Sequence, residues 1–204
     1  MSRSEQEIEV KFLVRDLPGL AGRLQALGAR LHAPRVHELN LRFDTPDGAL
    51  TREHQVLRLR QDVNAVMTFK GRASLGDEVS SRQEIEFQVS DFTAAQHLLE
   101  ALGYRVAVSY EKYRTTYELG EVLVTLDEMP FGSFVEIEGS NAADIRTAAA
   151  ALKLDWDARS TASYLGLFYQ FRAARGLTAK NLTFEEIEGV QAQPGDFGLD
   201  YADI

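Results

Sequence analysis

The chain has 204 residues and a formal net charge of -9, from 22 basic and 31 acidic side chains. This charge argues against a protein that binds nucleic acid or anionic membranes non-specifically, and the absence of cysteine excludes disulfides, thiolate zinc sites and cysteine nucleophiles. No apolar run approaches the roughly 20 residues of a membrane span, and Met1–Lys11 is too charged for a signal peptide, so we expect a cytoplasmic protein.

Most of the sequence alternates between apolar and polar residues, which is typical of β-strands with two unlike faces. In the first half we predict a strand, a helix and three more strands: Glu7–Val14, a helix after Asp16 with Leu17, Leu20, Leu24, Leu27 and Leu31 at helical spacing, then Glu38–Thr45, Gln55–Gln61 and Ala65–Gly71. In the second half we predict strands Arg82–Val89, Ser109–Leu119, Glu121–Asp127 and Ser133–Gly139, with helices Phe92–Leu102, Asn141–Leu152 and Ser160–Gly176.

Two stretches of the chain resemble each other. Glu7-Ile8-Glu9 leads through a strand into Leu24–Arg30, and Glu84-Ile85-Glu86 leads through a strand into the similar segment Leu99–Arg105. This echo predicts two β-α-β-β halves in one sheet system. Because closure removes both edges of a sheet, many antiparallel strands with few helices favour an α+β fold built on a closed eight-stranded barrel.

We assign residues 1–176 to this barrel domain, with its helices packed outside. Residues 177–204 form an acidic tail, in which the strand and helix patterns fade. The sequence leaves open whether the tail caps one end of the barrel or is mobile. It also leaves open whether the protein forms a homodimer.

Like charges recur in pairs on the polar faces of the predicted strands, where residues i and i+2 share a face. Like charges side by side on a sheet are unfavourable, so a solvated outer face would usually mix signs. Paired acids suit a divalent cation, and paired arginines or lysines suit a phosphate. The acidic set is Glu7, Glu9, Glu84, Glu86, Asp127, Glu136 and Glu138, and the basic set is Lys11, Arg58, Arg60, Lys70, Arg82, Lys112 and Arg114.

The two sets carry equal and opposite charge. Ionised groups in this number cannot line a dry core, because each would cost several kcal/mol to desolvate. We therefore predict that the charged side chains line a wet interior, while the apolar side chains face outward under the helices. Acids on one wall would hold Mg²⁺ or Mn²⁺, and bases on the other would bind a chain of phosphates.

At these residues the sequence resembles the CYTH superfamily, the triphosphate tunnel metalloenzymes. The matching motifs, in chain order, are Glu7-Ile-Glu9-Val-Lys11, Phe43–Asp47, Leu57–Arg60, Phe69–Gly71, Glu111–Arg114, Leu126-Asp127, Phe131–Gly139 and Ser163–Leu165. The resemblance implies an eight-stranded antiparallel tunnel. It also implies that Glu7, Glu9, Asp127, Glu136 and Glu138 coordinate one or two divalent metal ions.

By the same resemblance, the triphosphate would contact Lys11, Arg58, Arg60, Lys70 and Arg114, with Arg82 and Lys112 as additional contacts. Glu84 and Glu86 rank below the other acids, because their role would be to position bases such as Arg82. Glu7, Glu9 and Lys11 form the expected catalytic set, although the sequence does not decide which carboxylate handles the water.

The resemblance implies a divalent-metal-dependent hydrolase of a small triphosphate: inorganic tripolyphosphate, thiamine triphosphate or a nucleoside triphosphate. One alternative is a class IV adenylate cyclase, which makes cyclic AMP and pyrophosphate from ATP with the same phosphate-binding residues. A second alternative is a non-catalytic binder of polyphosphate or nucleotide. We expect no nucleic-acid or membrane partner.

Overall fold

The computed structural model describes residues 7–72 and 80–203, without the side chains of Glu7 and residues 80–82. The predicted roles of the Glu7 and Arg82 side chains therefore lie outside the described residues. The strands are β1 (Glu7–Val14), β2 (Arg30–Asp44), β3 (Val56–Gln61), β4 (Ala65–Lys70), β5 (Ser80–Arg82), β6 (Glu84–Val89), β7 (Arg105–Leu119), β8 (Val122–Met129), β9 (Gly132–Gly139) and β10 (Arg159–Ser160). The helices are α1 (Leu17–Ala26), α2 (Ala49–Arg52), α3 (Phe92–Ala101), α4 (Ala142–Ala151) and α5 (Tyr164–Arg175), with short 3₁₀ turns at Trp156–Ala158 and Pro194–Asp196.

The strands form one antiparallel sheet, in which neighbours follow the order β10-β1-β9-β8-β7-β2-β3-β4-β6, and β5 pairs with β1 beside this path. Within the described ranges the path has two ends, at β10 and β6. The predicted closed eight-stranded barrel is therefore wrong, and the fold is α+β with a sheet that is not closed into a barrel.

The pairing changes partner at Gln83, and this change is the physical reason for the correction. Residues 80–82 pair with residues 7–9 of β1, whereas β6 pairs with β4 over its whole length. A closed barrel needs one strand that bonds to both ends of the path. Period-two alternation predicts which face a side chain occupies, but it does not predict whether the sheet closes.

Helix α1 shows how the local sequence sets an element's boundaries. The Asp16 carboxylate accepts a hydrogen bond from the Gly19 amide at 2.9 Å and caps the first turn. The helix ends at Ala26, and Gly28 follows in the left-handed region with a φ of 77°. The predicted continuation to Leu31 is wrong, because that residue belongs to β2 and is exposed.

The two sequence halves form matching β-α-β units within the one sheet. Strand β1 is followed by α1 and the 15-residue β2, and β6 is followed by α3 and the 15-residue β7. The two long strands pair with each other, so the halves meet at the middle of the sheet. This confirms the prediction of two related halves that share one sheet.

Apolar side chains cover one face of the sheet beneath the helices. Val10 and Phe12 of β1 pack with Leu24 of α1 and Ile145 of α4. A smaller cluster joins β2, β3 and β4 to α3. Burial of this face orients the strands so that their charged side chains point to the opposite face.

Residues 177–203 pack against the rest of the fold. Leu182 and Phe197 join the aromatic cluster around Phe134 and Phe171. The Ala202 amide donates to the Leu13 carbonyl at 2.9 Å, so the end of the chain lies beside β1. This segment contributes to the core rather than to the charged face.

Candidate active site

The polar face of the sheet borders a cavity of about 830 Å³. The predicted site residues among those that line it are Glu9, Lys11, Arg58, Arg60, Lys70, Glu84, Glu86, Lys112, Arg114, Glu136 and Glu138. These residues belong to strands that are distant in the sequence. The order of the strands in the sheet places their side chains around the same cavity. A polar cavity of this size accommodates a small polyanion together with water.

We call Glu9, Asp127, Glu136 and Glu138, on β1, β8 and β9, the carboxylate wall. Its centre is Lys11, whose Nζ lies 2.7 Å from Glu9 Oε1 and 3.1 Å from Glu136 Oε2. The β1–β9 register creates this arrangement, because it places Lys11 opposite Glu136 and Glu9 opposite Glu138. Lys11 thus faces an acid across the two strands, whereas Glu9 and Glu138 form an acid pair beside it.

Glu9 and Glu136 of this wall stay ionised although burial opposes their charge. Lys11 holds the pKa of Glu9 below its ordinary value against the opposing effects of burial and of Glu136. Burial alone raises the pKa of Glu136, but Lys11 and Arg114 lower it well below its usual range. Ionised carboxylates are the form that binds a divalent cation.

Asp127 lies behind the cavity lining, with an exposed fraction of 0%. Its two oxygens accept hydrogen bonds from Arg114 Nε and Nη2, each at 2.6 Å. Lys112 Nζ lies 3.2 Å from the same carboxylate, and Tyr164 Oη donates to it at 2.6 Å. This geometry makes Asp127 an anchor for two cavity cations.

We call Arg58 and Arg60 of β3, with Lys70 of β4, the arginine wall. Arg58 Nη2 donates to Thr68 Oγ1 at 3.2 Å and lies 3.7 Å from Glu86, while Arg60 lies 3.9 Å from the same carboxylate. Arg58 Nε is buried and has no hydrogen-bond partner among the residues that the structure describes. A buried, unused guanidinium donor is suited to an incoming anion.

Glu84 and Glu86 contact the bases of the arginine wall. Glu84 Oε2 lies 2.6 Å from Lys70 Nζ, and Glu86 lies near both arginines. These contacts agree with the expectation that the two acids position bases. Their expected contact with the Arg82 side chain lies outside the described residues.

Glu38 and Tyr164 also belong to the cavity, and the sequence analysis missed both. Glu38 is 2% exposed, and its carboxylate accepts from Asn40 Nδ2 at 2.9 Å and lies 3.6 Å from Lys112 Nζ. Its signal was available, because it alternates with Leu39 and Leu41 as the other site acids alternate with their neighbours. Tyr164 lies in the matching motif Ser163–Leu165, but its contact with Asp127 depends on how α5 packs on the sheet.

The carboxylate wall supplies the type of oxygen ligand that suits a divalent metal ion, although the described side chains are not grouped around one metal position. Glu9, Glu136 and Glu138 present only carboxylate oxygens to one side of the cavity, and hard cations such as Mg²⁺ prefer such ligands. No three of the described His, Asp or Glu side chains already form a metal-binding group. Glu7 precedes Glu9 on the same strand, and its side chain lies outside this description.

The comparisons with known proteins identify the family. A model of the CYTH domain matches residues 5–161 of the chain. The chain belongs to the CYTH domain family. This confirms the resemblance found in the motifs.

Relatives of this CYTH protein carry names that refer to nucleotide chemistry. Adenylate cyclase CyaB of Aeromonas hydrophila is 26% identical over 133 residues, which cover 64% of this chain and 67% of that protein. A candidate adenylate cyclase of Vibrio parahaemolyticus has a similar structure, with a TM-score of 0.72 and 22% identity over 80% of this chain and 97% of that one.

The fold also resembles HpAC1 from Hippeastrum, with a TM-score of 0.61 and 22% identity over 81% of this chain and 95% of that chain. HpAC1 is named as an adenylyl cyclase and is described as having a dominant triphosphatase activity. The prediction of an enzyme agrees with these names. No helix in the described ranges is long and apolar enough to cross a membrane.

Proposed function

We propose that this CYTH protein is a divalent-metal-dependent triphosphatase that hydrolyses a small triphosphate in the charged cavity. The observation that carries the proposal is the convergence of basic side chains on one cavity, with a buried donor of Arg58 unused. These bases are Lys11, Arg42, Arg58, Arg60, Lys70, Lys112 and Arg114. A triphosphate has enough anionic oxygens to contact several of them at once.

The two walls would have different roles, one in binding phosphate and the other in binding metal. The arginine wall binds the phosphate oxygens, and Arg114, oriented by Asp127, adds a further guanidinium. Glu9, Glu136 and Glu138, with Glu7, would hold Mg²⁺ or Mn²⁺. Asp127, the fifth proposed ligand, would have to exchange contacts to Arg114 and Lys112 for the metal ion. A bound metal ion supplies charge neutralisation for the phosphate oxygens.

The reaction itself needs a positioned water rather than a protein nucleophile. A carboxylate of the Glu7–Glu9 pair orients the water and accepts its proton. The water oxygen forms a bond to the terminal phosphorus as the bridging P–O bond breaks. The departing electron pair stays on the diphosphate, and the surrounding bases stabilise it. Catalysis of this kind consists of positioning and electrostatic stabilisation.

Adenylate cyclase activity is the second candidate, and the names of the relatives favour it. The same walls would bind ATP, but the ribose 3′ oxygen would attack the α-phosphorus and release pyrophosphate. We rank hydrolysis first because it requires only water beside the bound triphosphate. Cyclisation also requires that the cavity orient a nucleoside.

The test is to incubate the protein with tripolyphosphate, thiamine triphosphate and ATP, each with Mg²⁺ or Mn²⁺. Release of inorganic phosphate supports the triphosphatase, whereas cyclic AMP with pyrophosphate supports the cyclase. Binding without any product would identify a non-catalytic phosphate binder. Chelation of the metal should abolish turnover and leave the protein folded.

A matched pair of arginine variants ties the activity to the cavity. We expect Arg58→Gln to lower kcat/KM by about 100-fold, since it removes a guanidinium from the phosphate site. Arg30→Gln is the control, because Arg30 is exposed and is not part of the cavity lining. Equal activity in the two variants would place the reaction elsewhere in the molecule.

A further inference from the structure

Thr125 occupies a central position on β8 of the cavity wall. Its neighbours Val124 and Leu126 are buried in the apolar core beneath the helices, and Thr125 itself lines the cavity. Strand alternation therefore directs the threonine hydroxyl to the charged side. Neither the motifs nor the proposed mechanism gives this residue a role.

The Thr125 hydroxyl is buried and has no hydrogen-bond partner among the described residues. The whole residue is 5% exposed. Buried hydroxyl groups in folded proteins are nearly always hydrogen-bonded, because an unpaired one carries the full cost of desolvation. This group therefore needs a partner that the protein does not provide.

The surroundings of Thr125 are suited to an anionic partner. Thr125 faces Glu136 across the β8–β9 pair and Thr116 across the β7–β8 pair. The Glu136 carboxylate is already engaged by Lys11 at 3.1 Å and by Arg114 at 3.2 Å. The hydroxyl thus lies beside a carboxylate whose oxygens already bind two cavity cations, and its own proton remains available.

We propose that the Thr125 hydroxyl donates a hydrogen bond to an anionic oxygen of the bound triphosphate. The inference rests on the proposed function and assigns one further residue to that binding site. A phosphate oxygen is a strong acceptor, and its arrival would give the unused hydroxyl a partner. Valine has nearly the same shape as threonine but lacks the hydroxyl. In the free protein the unpaired Thr125 hydroxyl therefore lowers the free energy of unfolding, and ligand binding would offset this loss.

This role makes stability and binding change in opposite directions. Thr125→Val removes an unpaired polar group from a buried position, so the free protein should unfold at the same temperature or a higher one. The same change should weaken binding of tripolyphosphate by about tenfold to 100-fold, as expected for one lost hydrogen bond to a charged group. Thr125→Ser keeps the hydroxyl and should bind within about twofold of the wild type.

The experiment measures thermal unfolding of the free protein and calorimetric binding of tripolyphosphate with Mg²⁺ for all three forms. Weaker binding by Thr125→Val at unchanged or raised stability, with binding retained by Thr125→Ser, supports the proposal. Unchanged binding in Thr125→Val overturns it, and so does a parallel loss of stability and binding, which indicates a structural role. Failure of the wild type to bind tripolyphosphate overturns the proposed function itself and this inference with it.

Discussion

The two arginines of the arginine wall are paired less firmly than the cations of the carboxylate wall, whereas Lys70 lies 2.6 Å from Glu84. On the carboxylate wall, Arg114 and Lys11 contact their carboxylates at 2.6 and 2.7 Å. On the arginine wall, Arg58 and Arg60 lie 3.7 and 3.9 Å from Glu86. That glutamate side chain is 40% exposed, whereas Asp127 is fully buried.

This difference indicates that the cations of the carboxylate wall are fixed by their ion pairs, whereas the two arginines of the arginine wall remain available to bind a ligand. A short, buried ion pair fixes both partners, and its loss leaves a charge that water cannot reach. A longer pair near solvent contributes little to stability and keeps its donors free for a ligand. The predictions below test whether the walls are as unequal as their distances imply.

The largest effect on stability should come from Asp127→Asn. The substitution removes the negative charge that holds Arg114 and Lys112, so each of these cations loses its shortest counter-ion contact. We expect the free energy of unfolding to fall by about 3–5 kcal/mol. Urea denaturation of the variant and the wild type measures this loss.

Arg58→Gln provides the comparison from the arginine wall. Its removal leaves Glu86 partly exposed to water. It also leaves Glu38 with Lys112 and Arg114, so we expect a loss of about 1 kcal/mol. Urea denaturation under the same conditions gives the two losses side by side. Similar losses in the two variants would contradict the distinction between the walls.

The site was more predictable from the sequence than the closure of the sheet. Like charges at i and i+2 identify a face from local sequence alone, as for Glu136 and Glu138, and these residues do line one cavity. The change of pairing partner at Gln83 depends on contacts between residues about 70 positions apart in the sequence. The alternation of polar and apolar residues does not predict such contacts.

Details of the site that depend on tertiary packing were also beyond the sequence. Asp127 is buried beneath three side chains that donate hydrogen bonds to its carboxylate. One of them, Tyr164, belongs to a helix that packs on the sheet. For α1 the sequence contains two conflicting signals, because Gly28 predicts a helix stop whereas the leucine spacing continues to Leu31; the helix ends before Gly28. Here the local turn residue was the better guide than the periodic pattern.

Glu38 joins the two walls, so its replacement should have an intermediate effect. Burial alone raises its pKa, but Lys112, Arg114 and Arg58 together lower it to about 2, from an ordinary value of 4.5. Arg60 also lies 3.8 Å from this carboxylate. We expect Glu38→Gln to lower the free energy of unfolding at pH 7 by about 3 kcal/mol, less than Asp127→Asn because the contacts are longer.

The pH dependence of this loss identifies its cause. A carboxyl group whose pKa is lower in the folded state stabilises the protein fully above its unfolded pKa, and this contribution disappears as the pH falls through the folded value. The stability difference between wild type and Glu38→Gln should therefore be constant above the ordinary value of 4.5 and shrink toward pH 2. Thermal unfolding from pH 7 to 3 measures it, and a constant gap would exclude a charge effect.

Tyr164→Phe should have a smaller effect than either Asp127→Asn or Glu38→Gln. The ring centre lies 5.3 Å from Lys11 Nζ and 5.1 Å from Lys112 Nζ, and phenylalanine keeps both contacts. Only the hydrogen bond from the hydroxyl to Asp127 is lost. We expect the free energy of unfolding to fall by about 1.5 kcal/mol, as for one hydrogen bond to a charged group.

Tyr169→Phe is the matched control, because Tyr169 lines the same cavity from α5 but is 49% exposed. This change should leave the urea midpoint within error of the wild type. If Tyr164→Phe behaves like the control, Asp127 is held by Arg114 and Lys112 alone. A loss comparable to that of Asp127→Asn would instead make the phenol, rather than the arginine, the main anchor of the carboxylate wall.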